Sequence, residues 1–275
     1  MKKIICALFA VAACFAASAY DITANYQIKG NARSVTRTDY TIISKFGEYF
    51  RTPSTKFLYT YDEQGKLLES SEMTSRDVLV NKIQNTYDVD GNLIEQVGSD
   101  SDVAQSWRAV FTYKDGNKAD ISEYGADELL KSKTIYTYVE SKVSEETNYN
   151  ADGALVGKNV YRYDGDKLSV LASYFADGSL DTEAQYSYTE DGRKESVMTY
   201  GSDGALVKKE IFRYDANNVL NEITTYGADN KTSSRMIVKF DEKGNLAKLT
   251  TYTVAKKFGT TVNEMSAMTE FVYEY

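Results

Sequence analysis

Asp88-Val89-Asp90-Gly91-Asn92 has the residue types and close spacing of a calcium loop. A helix–loop–helix calcium site, however, needs a bidentate Glu at its twelfth position, and the twelfth residue counted from Asp88 is Ser99. The same Asp and Gly recur at sister positions along the chain, so they read as turn formers and no metal is expected. Two carboxylates flanking a sugar can hydrolyse it without histidine. Among 40 acidic residues the unrepeated cluster is Asp100, Asp102, Trp107 and Arg108, which reads as a solvated loop. The chain has no His, which excludes Ser-His-Asp and Cys-His relays, His-ligated zinc and haem His ligation. P-loop, G-x-S-x-G and H-E-x-x-H signatures are absent. The expectation is a non-enzymatic protein without a cofactor. The side chains best suited to hold a ligand are aromatic: Trp107, the only Trp, and the row Tyr149, Tyr174, Tyr200 and Tyr226.

These aromatics belong to a repeat. One anchor series runs Tyr61, Tyr87, Tyr113, Tyr138, Tyr163, Tyr188, Tyr214 and Phe240, at intervals of 25 or 26 residues. Such a period marks a tandem architecture. Most anchors have an aromatic two residues earlier with a polar residue between, as in Tyr136-Thr137-Tyr138 and Phe212-Arg213-Tyr214. That alternation is the mark of a strand with one buried face. A second series, Tyr124, Tyr149, Tyr174, Tyr200, Tyr226 and Tyr252, follows 11 or 12 residues later. Each series leads into turn chemistry, such as Asp62-Glu63-Gln64-Gly65 or Ser202-Asp203-Gly204. There Asp bonds the local backbone and Gly supplies positive φ. Each repeat is therefore two strands and two tight turns, and helices of ordinary length do not fit between the turns.

The pattern predicts an all-β chain of tandem hairpins of about 25–26 residues. The array spans 57–252, with N-terminal capping strands over 20–56 and a C-terminal capping hairpin over 253–275. Strands twist relative to their neighbours, so a sheet this large curls. The preferred architecture is an open antiparallel meander whose concave face carries the Tyr and Phe rows, with a closed barrel as the alternative. The rings read first as cross-strand ladders, and Trp107 as a plug where the repeat is broken. Exposed as a platform, the second Tyr row and Trp107 would instead stack on a sugar or peptide.

Residues 1–19 read as a secretory signal: Lys2 and Lys3, an apolar run from Ile4 to Phe15, then Ala17-Ser18-Ala19 before Tyr20. The apolar run is too short to span a bilayer, and no later stretch approaches the length required. The alternative is a lipoprotein anchored at Cys14, from the lipobox-like Val11-Ala12-Ala13-Cys14. Cleavage at Ala19/Tyr20 removes both cysteines (Cys6 and Cys14), together with Lys2 and Lys3 of the 32 basic residues. That leaves 30 basic against 40 acidic residues, a balance that disfavours nucleic acid and anionic membrane surfaces. A secreted or periplasmic protein is expected.

Tyr61-Asp62-Glu63-Gln64-Gly65-Lys66-Leu67, Tyr87-Asp88-Val89-Asp90-Gly91-Asn92-Leu93 and Phe240-Asp241-Glu242-Lys243-Gly244-Asn245-Leu246 share the pattern Y/F-D-x-x-G-x-L, and Tyr163 to Leu168 is a shortened copy. This resembles the YD repeat of Rhs and teneurin-type proteins over roughly 57–252. In large family members the resemblance implies a meander wound into a shell around cargo. Eight repeats without a following core domain depart from that plan. The whole chain looks like small secreted Bacteroidales proteins carrying a domain of unknown function, a likeness that implies no activity.

The function expected is presentation of an extended surface to a protein partner in the envelope or outside the cell. The alternative is a carbohydrate-binding module, or more remotely a two-carboxylate glycan hydrolase. A glycan binder should expose a row of rings. A protein scaffold should instead bury its rings and expose polar strand faces such as Arg162, Arg213 and Lys239.

Overall fold

The computed structural model describes residues 28–275 apart from 102 and 258. Residues 1–19, read above as a signal and including Cys14, and Asp102 therefore lie outside the described residues. Eighteen strands follow one another: β1 (Ser34–Lys45), β2 (Glu48–Tyr61), β3 (Leu67–Thr74), β4 (Leu79–Tyr87), β5 (Leu93–Asp100), β6 (Val103–Lys114), β7 (Asn117–Gly125), β8 (Leu130–Val139) and β9 (Lys142–Asn150). The second half comprises β10 (Leu155–Asp164), β11 (Lys167–Phe175), β12 (Leu180–Tyr188), β13 (Lys194–Gly201), β14 (Leu206–Tyr214), β15 (Leu220–Gly227), β16 (Thr232–Phe240), β17 (Leu246–Lys257) and β18 (Thr260–Glu274).

Every strand pairs antiparallel with the next, and β1 also pairs with β18, from Ser34 opposite Glu274 to Thr41 opposite Ala267. The expected all-β hairpin array is present, in its closed form. The open meander is not formed, because the strands from the two irregular ends seal each other. Closure removes the edges that an open sheet would leave to aggregation. At the usual strand spacing and tilt, eighteen strands make a barrel roughly 35 Å across between opposite backbones.

The turns explain the repeat motif. In the Y-D-x-x-G hairpins the Asp side chain accepts from two backbone N–H groups of its own turn, Gln64 and Lys66 for Asp62, and Asp90 and Asn92 for Asp88. Gly65 and Gly91 then take φ of 80° and 88°, a region open to glycine and costly to most side chains. Asp88 also accepts from the Asn92 amide, so the calcium-like sequence closes its own turn.

Apolar burial is distributed around the wall. One cluster joins Ala109, Phe111 and Ile121, a second Ala184, Val197, Phe212 and Ile223, and a third Val238, Leu246 and Leu249. Each links neighbouring strands. Each large side chain so buried contributes about 1.5–3 kcal/mol, and a barrel of this strand number is wide enough to leave an aqueous lumen.

Candidate binding surfaces

Two register shifts per repeat decide which side chains share a face. Thr137 pairs with Glu145, but Tyr138 pairs with Val143, so one residue of β9 is bulged out. Beyond this bulge Glu146 and Asn148 share the face of Tyr136 and Thr134, while Tyr149 points the other way, opposite Lys133. The same shift follows Tyr87, Tyr163, Tyr188 and Tyr214. A second shift at Tyr149, Tyr174, Tyr200 and Tyr226 restores the alternation.

The face carrying the first Tyr series also carries Phe111, Val197, Phe212, Ile223 and Val238, all buried by lateral neighbours. Crowding of this kind marks the concave, inner side of a closed sheet. On the opposite face Ile135 and Val272 are exposed, as are Arg162, Arg213 and Lys239. The expectation that one concave face holds both Tyr rows is therefore corrected: the bulges send the second row outward.

On the inner wall, anchor tyrosines donate their hydroxyls to main-chain carbonyls of the preceding strand. The bonds run from Tyr87 to Leu67, Tyr113 to Leu93, Tyr138 to Lys118, Tyr163 to Val143, Tyr188 to Leu168 and Tyr214 to Lys194, at 2.7 to 3.0 Å. Several rings also lie under a cation, among them Tyr214 under Arg193 at 4.5 Å and Tyr188 under Lys167 at 5.4 Å. Burial raises the phenols of Tyr87, Tyr113, Tyr138, Tyr163 and Tyr188 above their ordinary range, and Tyr61 reaches about 12. Above the aromatic layer lies a polar one, where Tyr161 donates to Glu146, Ser173 to Asn159 and Thr134 to Asn148.

Lys194 and Glu210 also face inward, and the sequence does not single them out because each occupies an ordinary repeat position. Burial holds Lys194 down to about 8, against the pull of Glu210. Glu210 is 3% exposed and its Oε2 has Lys208 Nζ at 3.4 Å, without a directed hydrogen bond. Trp107 lies on the inner face too. Its indole covers Gly98, where an added Cβ would stand 2.1 Å from Nε1, and it packs against the Ala109, Phe111 and Ile121 cluster. Arg108, the next residue, points outward, so these two members of the acidic cluster are not brought together.

The other four candidate residues do form one surface. Tyr149, Tyr174, Tyr200 and Tyr226 lie in a half-buried outer row at one end of the barrel, extended by Tyr124 and Tyr252. Each ring stands opposite a long charged side chain on the preceding strand: Arg108 for Tyr124, Lys133 for Tyr149, Lys158 for Tyr174, Glu183 for Tyr200, Lys209 for Tyr226 and Arg235 for Tyr252. Arg108 lies over the Tyr124 ring at 4.6 Å and Lys158 over Tyr174 at 6.0 Å. Below, Lys158 pairs with Glu145 at 2.9 Å, Lys133 with Asp120 at 3.3 Å and Lys82 with Glu69 at 3.2 Å. Glu222 holds Arg213 and Arg235, and is pushed down to about 2 chiefly by Arg235. Among the described residues no cluster of acidic side chains suits a metal ion, and no helix is long and apolar enough to cross a membrane.

No family model matches this chain, and no curated protein does. Among solved structures it is similar to a porin-like protein from Bacteroides uniformis ATCC 8492. The identity is 9%, with 90% of this chain and 99% of the other covered and a TM-score of 0.52. A porin-like protein from Bacteroides vulgatus ATCC 8482 matches at 13% identity over 72% of this chain and 95% of the other, with a TM-score of 0.39. At this identity the first likeness speaks for the barrel fold alone.

Proposed function

We propose that this chain is a non-enzymatic binding barrel of the cell envelope, and that its outer Tyr row takes a glycan strand. The observation that carries this reading is the periodicity of the row. Every second strand from β7 to β17 presents a ring beside a charged side chain. With strands about 4.8 Å apart and two residues of stagger per repeat, neighbouring rings stand about 12 Å apart. A partner that meets the same constellation at each step is itself periodic. A polysaccharide in extended form has that character, with roughly two sugar units per step; a folded protein does not. The rings supply stacking faces, and the charged neighbours supply hydrogen bonds to hydroxyls.

In this reading the barrel stands in water. Its outer face carries Glu69, Lys82, Glu95, Arg108, Asp120, Lys133, Glu145 and Lys158 around its middle, and a charge at a bilayer midplane costs roughly 2–4 kcal/mol for Lys or Arg. The name porin-like, taken from its structural neighbours, would then describe shape and envelope location, not bilayer spanning. In this reading export ends in cleavage at Ala19/Tyr20, or in anchoring at Cys14. The YD-like motif belongs to the same reading, because its Asp and Gly close the turns and its Tyr lines the inner wall.

A protein partner at the exposed Arg162, Arg213 and Lys239 is the second reading, favoured by the exposure of all three. A glycan-array screen of the chain from Tyr20 onward separates the two. Saturable binding weakened roughly tenfold by Tyr174→Ala, and unaffected by Trp107→Phe on the inner face, supports the glycan. Silence across the array, with capture of an envelope protein lost in Arg162→Ala, supports the scaffold.

A further inference from the structure

The β1–β2 hairpin projects from the end of the barrel that carries the outer Tyr row. β1 leaves β18 after Thr41 opposite Ala267, and β2 joins β3 only from Thr55 opposite Thr74. Between them β1 and β2 remain paired as far as Lys45 opposite Glu48, so the free hairpin extends about 13 Å. Its tip leaves apolar side chains uncovered beside the exposed pair Lys45 and Glu48: Phe46 is 105% exposed, Phe50 50% and Ile43 44%, and Ile43 stands opposite Phe50.

Phe46 also sits where a bulky residue is costly. Its φ is 54°, followed by Gly47 at 83°, the left-handed pair of a two-residue hairpin turn that favours Asn-Gly or Asp-Gly. The chain uses Asp115-Gly116 for the same conformation between β6 and β7. A fully exposed Phe in this strained position therefore gives the turn itself nothing that Asp or Asn would not.

We infer that this tip inserts shallowly into the interface of a zwitterionic lipid bilayer. Three features select that partner. The ladder satisfies the hairpin's internal backbone groups up to the last pair, which lowers the cost of leaving water. The surrounding rim carries further exposed apolar residues, Val78, Leu129, Val156, Phe175 and Val207, so the apolar surface continues around this end of the barrel. The same rim carries exposed Asp177 and Asp203, with Asp127 and Asp229 paired to Lys131 and Lys231, so it offers an anionic surface no excess of positive charge and tolerates a neutral one.

The test is co-sedimentation of the chain from Tyr20, which retains all eighteen strands, with phosphatidylcholine vesicles. The expected result is partitioning that survives high salt, weakens as phosphatidylglycerol is added, and falls roughly tenfold or more in Phe46→Ser and Phe46→Asn. Phe46→Asn relieves the turn, so its melting temperature should equal or exceed that of the parent, which excludes unfolding as the cause of lost binding. Val89→Ser, at the fully exposed opposite rim, should partition as the parent does. The inference is overturned if the parent stays in the supernatant, if both Phe46 variants sediment unchanged, or if sedimentation needs phosphatidylglycerol. Light scattering that shows a dimer abolished by Phe46→Ser, with no vesicle binding, would assign the tip to a second copy instead.

Discussion

Tyr163 donates its hydroxyl to the carbonyl of Val143 at 3.0 Å, and that carbonyl lies beyond the end of the β9–β10 ladder, whose outermost pair there is Glu145 opposite Val160. The phenol thus replaces a missing strand partner, and the bond recurs around one rim. An aromatic residue does two tasks here: its ring fills the inner wall and its tip satisfies a backbone group that a hairpin with a bulge leaves open.

Tyr163→Phe keeps the ring and removes the bond. The expected cost is about 1 kcal/mol, read as a lowered melting temperature. Tyr174→Phe, whose hydroxyl makes no hydrogen bond among the described residues, should stay within about 0.5 kcal/mol of the parent. Equal losses from both substitutions would remove the capping role.

Gly98→Ala places a methyl group into the indole of Trp107. The ring must shift, at roughly 1–3 kcal/mol. Because Trp107 is the only Trp, the displacement should appear as a changed emission maximum and near-ultraviolet dichroism. An unchanged spectrum would contradict the close contact of the indole with Gly98.

On the acid side, Glu222 is held at about 2 in the fold, mainly by Arg235, against an ordinary 4.5. A depressed carboxyl contributes stability that is complete above its unfolded value and is lost as pH falls toward its folded one. Thermal stability should therefore decline between about pH 4.5 and 2, and Glu222→Gln should flatten part of that decline. An unaltered acid limb in the variant would count against the Arg213–Glu222–Arg235 clamp.

On the basic side the sign reverses. Lys194 titrates near 8 in the fold and near 10.5 when unfolded, so between those values the unfolded chain holds more protons and stability rises with pH. Tyr61, raised to about 12 from 10.0, acts oppositely once unfolded phenols ionise. The melting temperature should rise from about pH 8 toward 10 and fall beyond, and Lys194→Met should lose the rise. A rise that persists in the variant would place its origin elsewhere.

Within each strand the alternation read from Tyr136-Thr137-Tyr138 is what the barrel shows, and the Asp and Gly of each turn act as their chemistry predicts. The candidate surface was legible as a row, Tyr149 to Tyr226, but not as an outer row. Counting in twos from Tyr138 fails at the residue bulged out of β9, and a bulge has no sequence mark as plain as a glycine turn. Trp107 was separable from that row only by its register against Gly98 and Gly125. Lys194 and Glu210 carried no signal, since their burial comes from neighbours on other strands.

The sequence by itself determined the repeat length, the hairpin turns and the pleat of each strand, because these rest on contacts within a few residues. Closure was decided only in three dimensions. Val35 meets Tyr273 across the seam because twist and stagger accumulated over eighteen strands bring the two ends together. No local stretch encodes that sum, and with it comes the choice of which tyrosines face the lumen and which face the solvent.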